Sequence, residues 1–234
     1  LVPMAVPHVA WPPVARDAVA RQTLAATRVD GAGLPGDPLS DSMPHALPAA
    51  LQEGRPYPVE ALFVYYANPV YYQPDLGPAL AKVPFVVSFS PFMDETATMA
   101  DLILPDHTFL ERWQDHERLG PLAYPLLGVS APATAPLYDT RHTGDVLLAL
   151  ARALGDPFKA AFPWKDFRDV LEASVKDLYS RTKPKILLEA LDEPWYETFA
   201  RGKRWDWESP WKDADDFWKR VLERGGWWDP EYPF

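Results

Sequence analysis

Four groups of side chains in this 234-residue chain have the types and spacing for chemistry. Asn68-Pro69 ends an apolar run, and an asparagine there offers an amide that donates and accepts, either to a ligand or to the turn itself. Ser88-Phe89-Ser90 is followed by Asp94-Glu95-Thr96. Two hydroxyls and the amides of a strand-end loop suit a ribose or a phosphate, and the next helical turn adds a weakly positive end. The acidic residues weaken the phosphate option, and no glycine-rich fingerprint or P-loop is present. Base and ribose contacts are what remain. Asp106, His107 and Glu111, with Asp115, His116 and Glu117 soon after, are metal-ligand types. They lack a paired spacing on a helix, so a loop network is favoured over a metal. Finally, Asp145 in Arg141-His142-Thr143-Gly144-Asp145 has two roles open to it. It caps a helix, or it reads the edge of a guanine, where one carboxylate accepts from both N1–H and the 2-amino group.

The elements that must hold these residues follow from hydrophobic pattern and breakers. Glu60 to Ala67 predicts a strand buried on both faces, and Pro84 to Ser88 and Asp101 to Leu104 predict two more. Leu76 to Lys82 is a short crossover helix, and Asp94 is placed to cap a turn over Thr96 to Ala100. Strands linked this way are parallel, and their carboxyl ends are where such sheets bind nucleotides. Arg112 to Tyr138 is rich in proline and glycine and predicts loop. Thr143 to Leu154 predicts a helix stopped by Gly155, Trp164 to Ser180 another, and Asp213 to Glu223 a third, stopped by Gly225-Gly226. Ile186 to Leu191 is a short apolar run. Residues 1–58 carry many prolines and predict an extended arm, with one short helix near Arg16 to Ala26 and a turn over Asp30 to Gly36. The expected fold class is α/β: a Rossmann-like three-layer domain with a mostly parallel sheet at 59–160, that arm before it, and a helical, tryptophan-rich extension at 161–234.

Composition removes several classes of function. A formal charge of -10 opposes a non-specific nucleic-acid or anionic-membrane binder, which needs a basic face. The chain has no cysteine, which excludes disulfides and cysteine-held clusters within these residues. No apolar run nears the roughly 20 residues of a membrane span. The opening LVPMAVPHVA has no basic stretch or cleavage pattern and no initiator methionine, which points to a fragment or a processed chain. Seven of the 10 tryptophans lie between Trp195 and Trp228, interleaved with Asp206, Glu208, Asp213, Asp215 and Asp216. Acidic neighbours favour aromatic packing or a contact between subunits there over stacking on single-stranded nucleic acid.

Taken in order, FVYYANPV, FVVSFSPFMDETATMADLILPDHTFLERW and RHTGDVLLALARAL resemble the large subunit of molybdopterin oxidoreductases of the dimethyl sulfoxide reductase superfamily. DHTFLERW and the late FWKRVLERGGWWDP look closest to its tetrathionate, thiosulfate and polysulfide reductase branch. That branch includes menaquinone-linked complexes whose molybdopterin-like subunit lacks the metal. The resemblance covers about residues 59–155. It implies a second nucleotide-binding α/β domain that grips one guanosine arm of a bis(molybdopterin guanine dinucleotide) cofactor, with molybdenum held in the intact protein. By the same resemblance, Asn68 contacts the cofactor after the first strand, and Phe89 and Ser90 meet the guanosine after the second. Arg112 stands where the family often has a lysine, and Asp145 matches the guanine-reading acid. The implied partners are the rest of the large subunit, an iron–sulfur subunit, and also a membrane quinone-linked subunit, on the periplasmic side of the cytoplasmic membrane. No catalytic metal ligand is identifiable, so turnover by this chain alone is not expected.

Overall fold

The computed structural model describes residues 16, 18, 21–22, 26–33, 42–117, 126–181, 185–186 and 211–228. The chain divides into two compact units. One comprises Val14–Thr108 with Pro136–Val146, and the other Leu1–Pro13, Phe109–Ala135 and Leu147–Phe234.

The first unit is built on three short parallel strands. Helix α1 (Leu47–Glu53) precedes them. Pro48 sits in its first turn, where a missing N–H costs nothing, and Gly54 ends it in the left-handed region at φ 62°. The proline-rich arm therefore holds a helix beyond the one expected near residues 16–26, where Ala18, Arg21 and Gln22 are helical. Upstream, Asp30 receives Ala32 N and Met43 N and pairs with Arg28, fixing the 28–33 turn to the approach of α1.

Strand β1 (Ala61–Val64) leads through helical turn α2 (Pro69–Tyr72) and helix α3 (Leu76–Leu80) to β2 (Phe85–Ser88). A 3-10 turn at Ala97–Met99 precedes β3 (Leu102–Ile103). The order is β1-β2-β3, all parallel, with Ala61 opposite Phe85 and Val87 opposite Leu102. The core joins Leu51 of α1, Val64 of β1, Leu76, Ala79 and Leu80 of α3, Val83, and Val86 of β2. Only the central strand β2 is buried along most of its length. The expectation that β1 is buried on both faces is corrected: it is a sheet edge, and Phe63 is 47% exposed. An apolar run does not distinguish an edge strand from a central one.

The second unit contains the larger correction. Gln114–Glu117 (β4) and Leu126–Ser130 (β5) form an antiparallel pair where loop was expected. Helix α4 (Thr143–Leu154) follows, then α5 (Phe158–Ala161), α6 (Phe167–Arg181) and the two-residue strand β6 (Lys185–Ile186). Helix α7 (Ala214–Arg224) and β7 (Gly226–Trp228) end the described chain. The sheet order is β4-β5-β7-β6, antiparallel throughout, so the extension expected to be helical also supplies strands. Of the apolar run 186–191, only Ile186 lies within the described residues. No helix among the described residues is long and apolar enough to cross a membrane.

Leu171, Val175 and Leu178 recur at helical spacing on α6 and meet Phe217, Trp218 and Val221 of α7, with Leu127 and Val129 of β5 and Trp227 of β7. Two of the clustered tryptophans are thus core residues; Trp195, Trp205 and Trp207 lie outside the described residues. Asp213 caps α7, its carboxylate receiving Asp216 N at 2.9 Å, and Gly225 closes the helix at φ 88°.

On the surface, Lys176 of α6 pairs with Asp215 of α7 and with Glu172 one turn away. The hydrogen bond to Asp215, then that to Glu172, raises the Lys176 ammonium above its ordinary 10.5. A raised cation stabilises fully below its unfolded value and loses that contribution as pH rises through the folded one. Lys176→Met should therefore flatten the alkaline limb of the stability curve. Thermal midpoints of wild type and variant, taken between about pH 9 and 12, should converge as the lysine discharges. Midpoints that keep a constant gap across that range would refute the assignment.

Candidate functional site

Asn68, Ser90, Asp94, Glu95 and Thr96 meet at the carboxyl end of the parallel sheet, where hydrogen bonds join successive loops, whereas Glu111, Asp115, His116 and Glu117 fall in the other unit. Beyond β1 the chain turns at Tyr66, a non-glycine residue held at φ 55°, and reaches Asn68. Asn68 Oδ1 receives Thr96 N at 3.2 Å and the Thr96 hydroxyl at 2.7 Å. Its amide nitrogen donates to Glu95 at 2.6 Å. Thr96 Oγ1 in turn receives Val70 N at 3.1 Å. The first strand-end loop is thereby fastened to the Glu95-Thr96-Ala97 turn that follows the second. One of the two amide N–H groups of Asn68 has no acceptor among the described residues.

Ser90 organises the next loop. Its hydroxyl donates to Asp94 at 2.8 Å and receives Phe92 N, while Ser90 N donates to Ser88 Oγ. Asp94 also receives Ala97 N at 2.7 Å, which is the capping role expected of it. Phe89 is buried, with its ring edge-on to Phe63 at 5.9 Å. Its N–H donates to Val64 O and its carbonyl receives Asp106 N.

Asp106 is the joint between the sheet and α4. It is fully buried, and its carboxylate receives His107 N at 2.9 Å and Thr143 N at 2.8 Å. Arg141 N donates to Pro105 O, and His107 Nδ1 lies 2.7 Å from Thr140 Oγ1. The next helical amide, Gly144 N, donates to His142 Nδ1 at 2.9 Å. The first amides of α4 are thus held by Asp106 and His142, and Asp145 stands half-buried one position further on. No cluster of metal-ligating side chains occurs among the described residues. Asp106 and His107 belong to the loop network.

Asn68, Phe89, Ser90 and Asp145 fall in one unit, tied together through Thr96, Asp94 and Asp106, whereas Arg112 falls in the other. Sequence reasoning missed Asp106 and His142 as the groups that set the helix. The available signal for His142 was its place immediately before the first helical residue; Asp106 gave none, because its partner is distant in sequence.

The hydrogen bond from Asn68, followed by a local backbone one, holds the exposed Glu95 carboxyl below its ordinary 4.5. Asn68→Ala should return that carboxyl towards 4.5, read by a carboxyl carbon titration in NMR. It should also destabilise the unit by about 1–2 kcal/mol, because the buried Thr96 loses its acceptor. An unmoved Glu95 titration would show that this contact does not persist in solution.

Residues 39–119 match the family model for molybdopterin oxidoreductase. The chain is 40% identical over 131 residues to the menaquinone reductase molybdopterin-binding-like subunit of Nitratidesulfovibrio vulgaris, covering 53% of this chain and 18% of that protein. It is 27% identical over 117 residues to the thiosulfate reductase molybdopterin-containing subunit of Salmonella typhimurium, 49% of this chain and 15% of that one. Against a tetrathionate reductase subunit of the same organism it is 31% identical over 100 residues, 40% of this chain and 10% of that one. Among solved structures, acetylene hydratase from Pelobacter acetylenicus aligns with a TM-score of 0.49 at 26% identity, over 57% of this chain and 19% of that chain. The chain spans less than a fifth of the length of these relatives. The segment 39–119, with the parallel sheet it contains, is thus similar to the molybdopterin oxidoreductase family.

Proposed function

We propose that the carboxyl edge of the β1-β2-β3 sheet holds one guanosine arm of a bis(molybdopterin guanine dinucleotide) cofactor within a larger catalytic subunit. The observation that carries this is the hydrogen-bonded run of strand-end loops, from Asn68 through Thr96 and from Phe89 through Asp106, inside the family-matched segment, and on to the first turn of α4 beyond it. The donor set suits a purine nucleoside. Asp145 presents an acceptor pair to the N1–H and 2-amino edge of guanine, and Asn68 keeps one amide N–H for a ligand oxygen. Phe89 and Ser90 supply the floor and the turn beneath it. Bound molybdenum supplies the two-electron chemistry, while these residues bind and orient.

On this proposal the whole protein reduces or oxidises an inorganic sulfur compound such as tetrathionate, thiosulfate or polysulfide. It works at the periplasmic face with two partner subunits, one carrying iron–sulfur clusters and one linking to quinone in the membrane. One finding favours a second reading. Identity is higher to the menaquinone reductase molybdopterin-binding-like protein, at 40%, than to the thiosulfate reductase one, at 27%. The second reading is a non-catalytic, molybdopterin-like scaffold in a menaquinone-linked electron-transfer complex. Molybdenum and acid-released guanine, quantified in the purified intact protein, separate the two. Both present in proportion to polypeptide is the expected result. Neither present, in a protein still assembled with its partner subunits, would sink the catalytic reading and establish the scaffold.

A further inference from the structure

The residue immediately before α4 is a histidine, not one of the small polar residues that usually cap helices. His142 is buried, and its Nδ1 receives Gly144 N, the second amide of the helix, at 2.9 Å. A backbone N–H can only donate, so Nδ1 must be unprotonated, and a neutral ring then carries its hydrogen on Nε2. Protonation at Nδ1 would set two N–H groups against each other. Asp, Asn and Ser caps have no such weakness near neutral pH.

Several titratable and charged groups stand near this imidazole. The His107 ring meets it edge-on at 6.5 Å between centroids. The Asp106 carboxylate holds the adjacent Thr143 N. Arg141 precedes it in the chain, and Asp145 lies in the same first turn. Two side chains fix the start of α4: Asp106, from the end of the sheet, and His142, from the helix entry itself. Asp145, one residue past Gly144, takes its direction from that turn.

We infer that His142 is a positioning residue, whose neutral Nε2–H tautomer caps α4 and aims Asp145, so that retention of a guanine-bearing ligand at that turn requires an unprotonated Nδ1. This rests on the guanosine-arm reading above. The ligand does not reach His142; it feels the imidazole through the helical turn.

The test uses the intact parent protein as wild type and as His142→Asn, His142→Gln and His142→Ala. An asparagine amide oxygen can occupy the place of Nδ1, whereas a glutamine oxygen reaches towards the place of Nε2. Two quantities are read at about pH 8, where an ordinary imidazole is neutral. They are the hydrogen-exchange protection of the peptide spanning residues 141–148, corrected for intrinsic rates, and the guanine retained per polypeptide after gel filtration. At pH 8, H142A and H142Q should lose about fivefold in protection, the usual effect of a lost cap, and H142N should match wild type. Guanine retention should follow the same order. H142Q rescuing as well as H142N would overturn the tautomer assignment. Lost protection with full guanine retention would overturn the link to Asp145. Guanine absent from wild type would overturn the cofactor reading and the ligand half of this inference, while the protection data would still judge the cap.

Discussion

Asp106→Ala should destabilise the parallel-sheet unit by about 3 kcal/mol, one of the two largest effects expected in the chain. The carboxylate is fully buried and receives two backbone amides, His107 N and Thr143 N. Removing it strands two donors in a site without water access, and each buried, unpaired amide costs about 1–3 kcal/mol. Asp106→Asn is the control. Both amides donate to the same oxygen, Oδ1, so an asparagine amide oxygen in that place can accept from both, and most of the cost should return. Chemical denaturation of both variants measures the difference. The loss should be local as well as global, since Thr143 N starts α4, and hydrogen exchange over residues 141–148 should rise first in the alanine variant. A variant of unchanged stability would mean that Asp106 is not the joint between β3 and the helix.

The second large effect lies in the other unit. Trp227 is fully buried among Leu127, Val175, Phe217 and their neighbours, and Trp227→Ala should cost about 3–5 kcal/mol through lost burial and the cavity left behind. Trp227→Phe should behave very differently. Its indole Nε1 is buried with no hydrogen-bond partner among the described residues. Replacing the indole with phenyl removes that unpaired donor while keeping most of the apolar contact. The two terms oppose each other, and the variant should stay within about 1 kcal/mol of wild type. Equal losses for Phe and Ala would show that the indole nitrogen has a partner in solution.

How far the sequence revealed this structure depended on how local each signal was. The strands at 61–64 and 85–88 and the helices at 143–154, 167–181 and 214–224 declare themselves through apolar runs, helical spacing and stop glycines within a few residues. Asp213 and Gly225 bracket α7 in the expected way. The strand pair at 114–117 and 126–130 did not. Gln114-Asp115-His116-Glu117 is wholly polar, and glycine interrupts Leu126 to Ser130. What makes Leu126 to Ser130 a central strand is Gly226–Trp228, from the far end of the described chain, and local propensity carries no trace of such a partner.

The candidate site divides along the same line. Asn68, Ser90 and Asp145 were visible because their positions at strand ends and at a helix start can be inferred from neighbouring residues. The use made of them was not. Asn68 and Ser90 spend most of their hydrogen-bonding capacity on Thr96, Glu95 and Asp94, a network that exists only once the loops are folded together. Asp106 looked like one of several acidic loop residues and proved to be a buried strut.

The antiparallel sheet bears on how the chain is synthesised. Strand β7 lies between β5 and β6 and carries the most deeply buried tryptophan among the described residues. A ribosome delivers β4 and β5 long before it delivers β7. The parallel strands at 61–103, whose partners are close in sequence, can pair while the chain is still emerging. The antiparallel unit has to wait, with the apolar faces of β5 and α6 unsatisfied, until the residues around Trp227 leave the exit tunnel. Chains halted before Gly226 should therefore keep an ordered first sheet and an adhesive, half-built second one, which makes that interval one in which a nascent chain is open to aggregation.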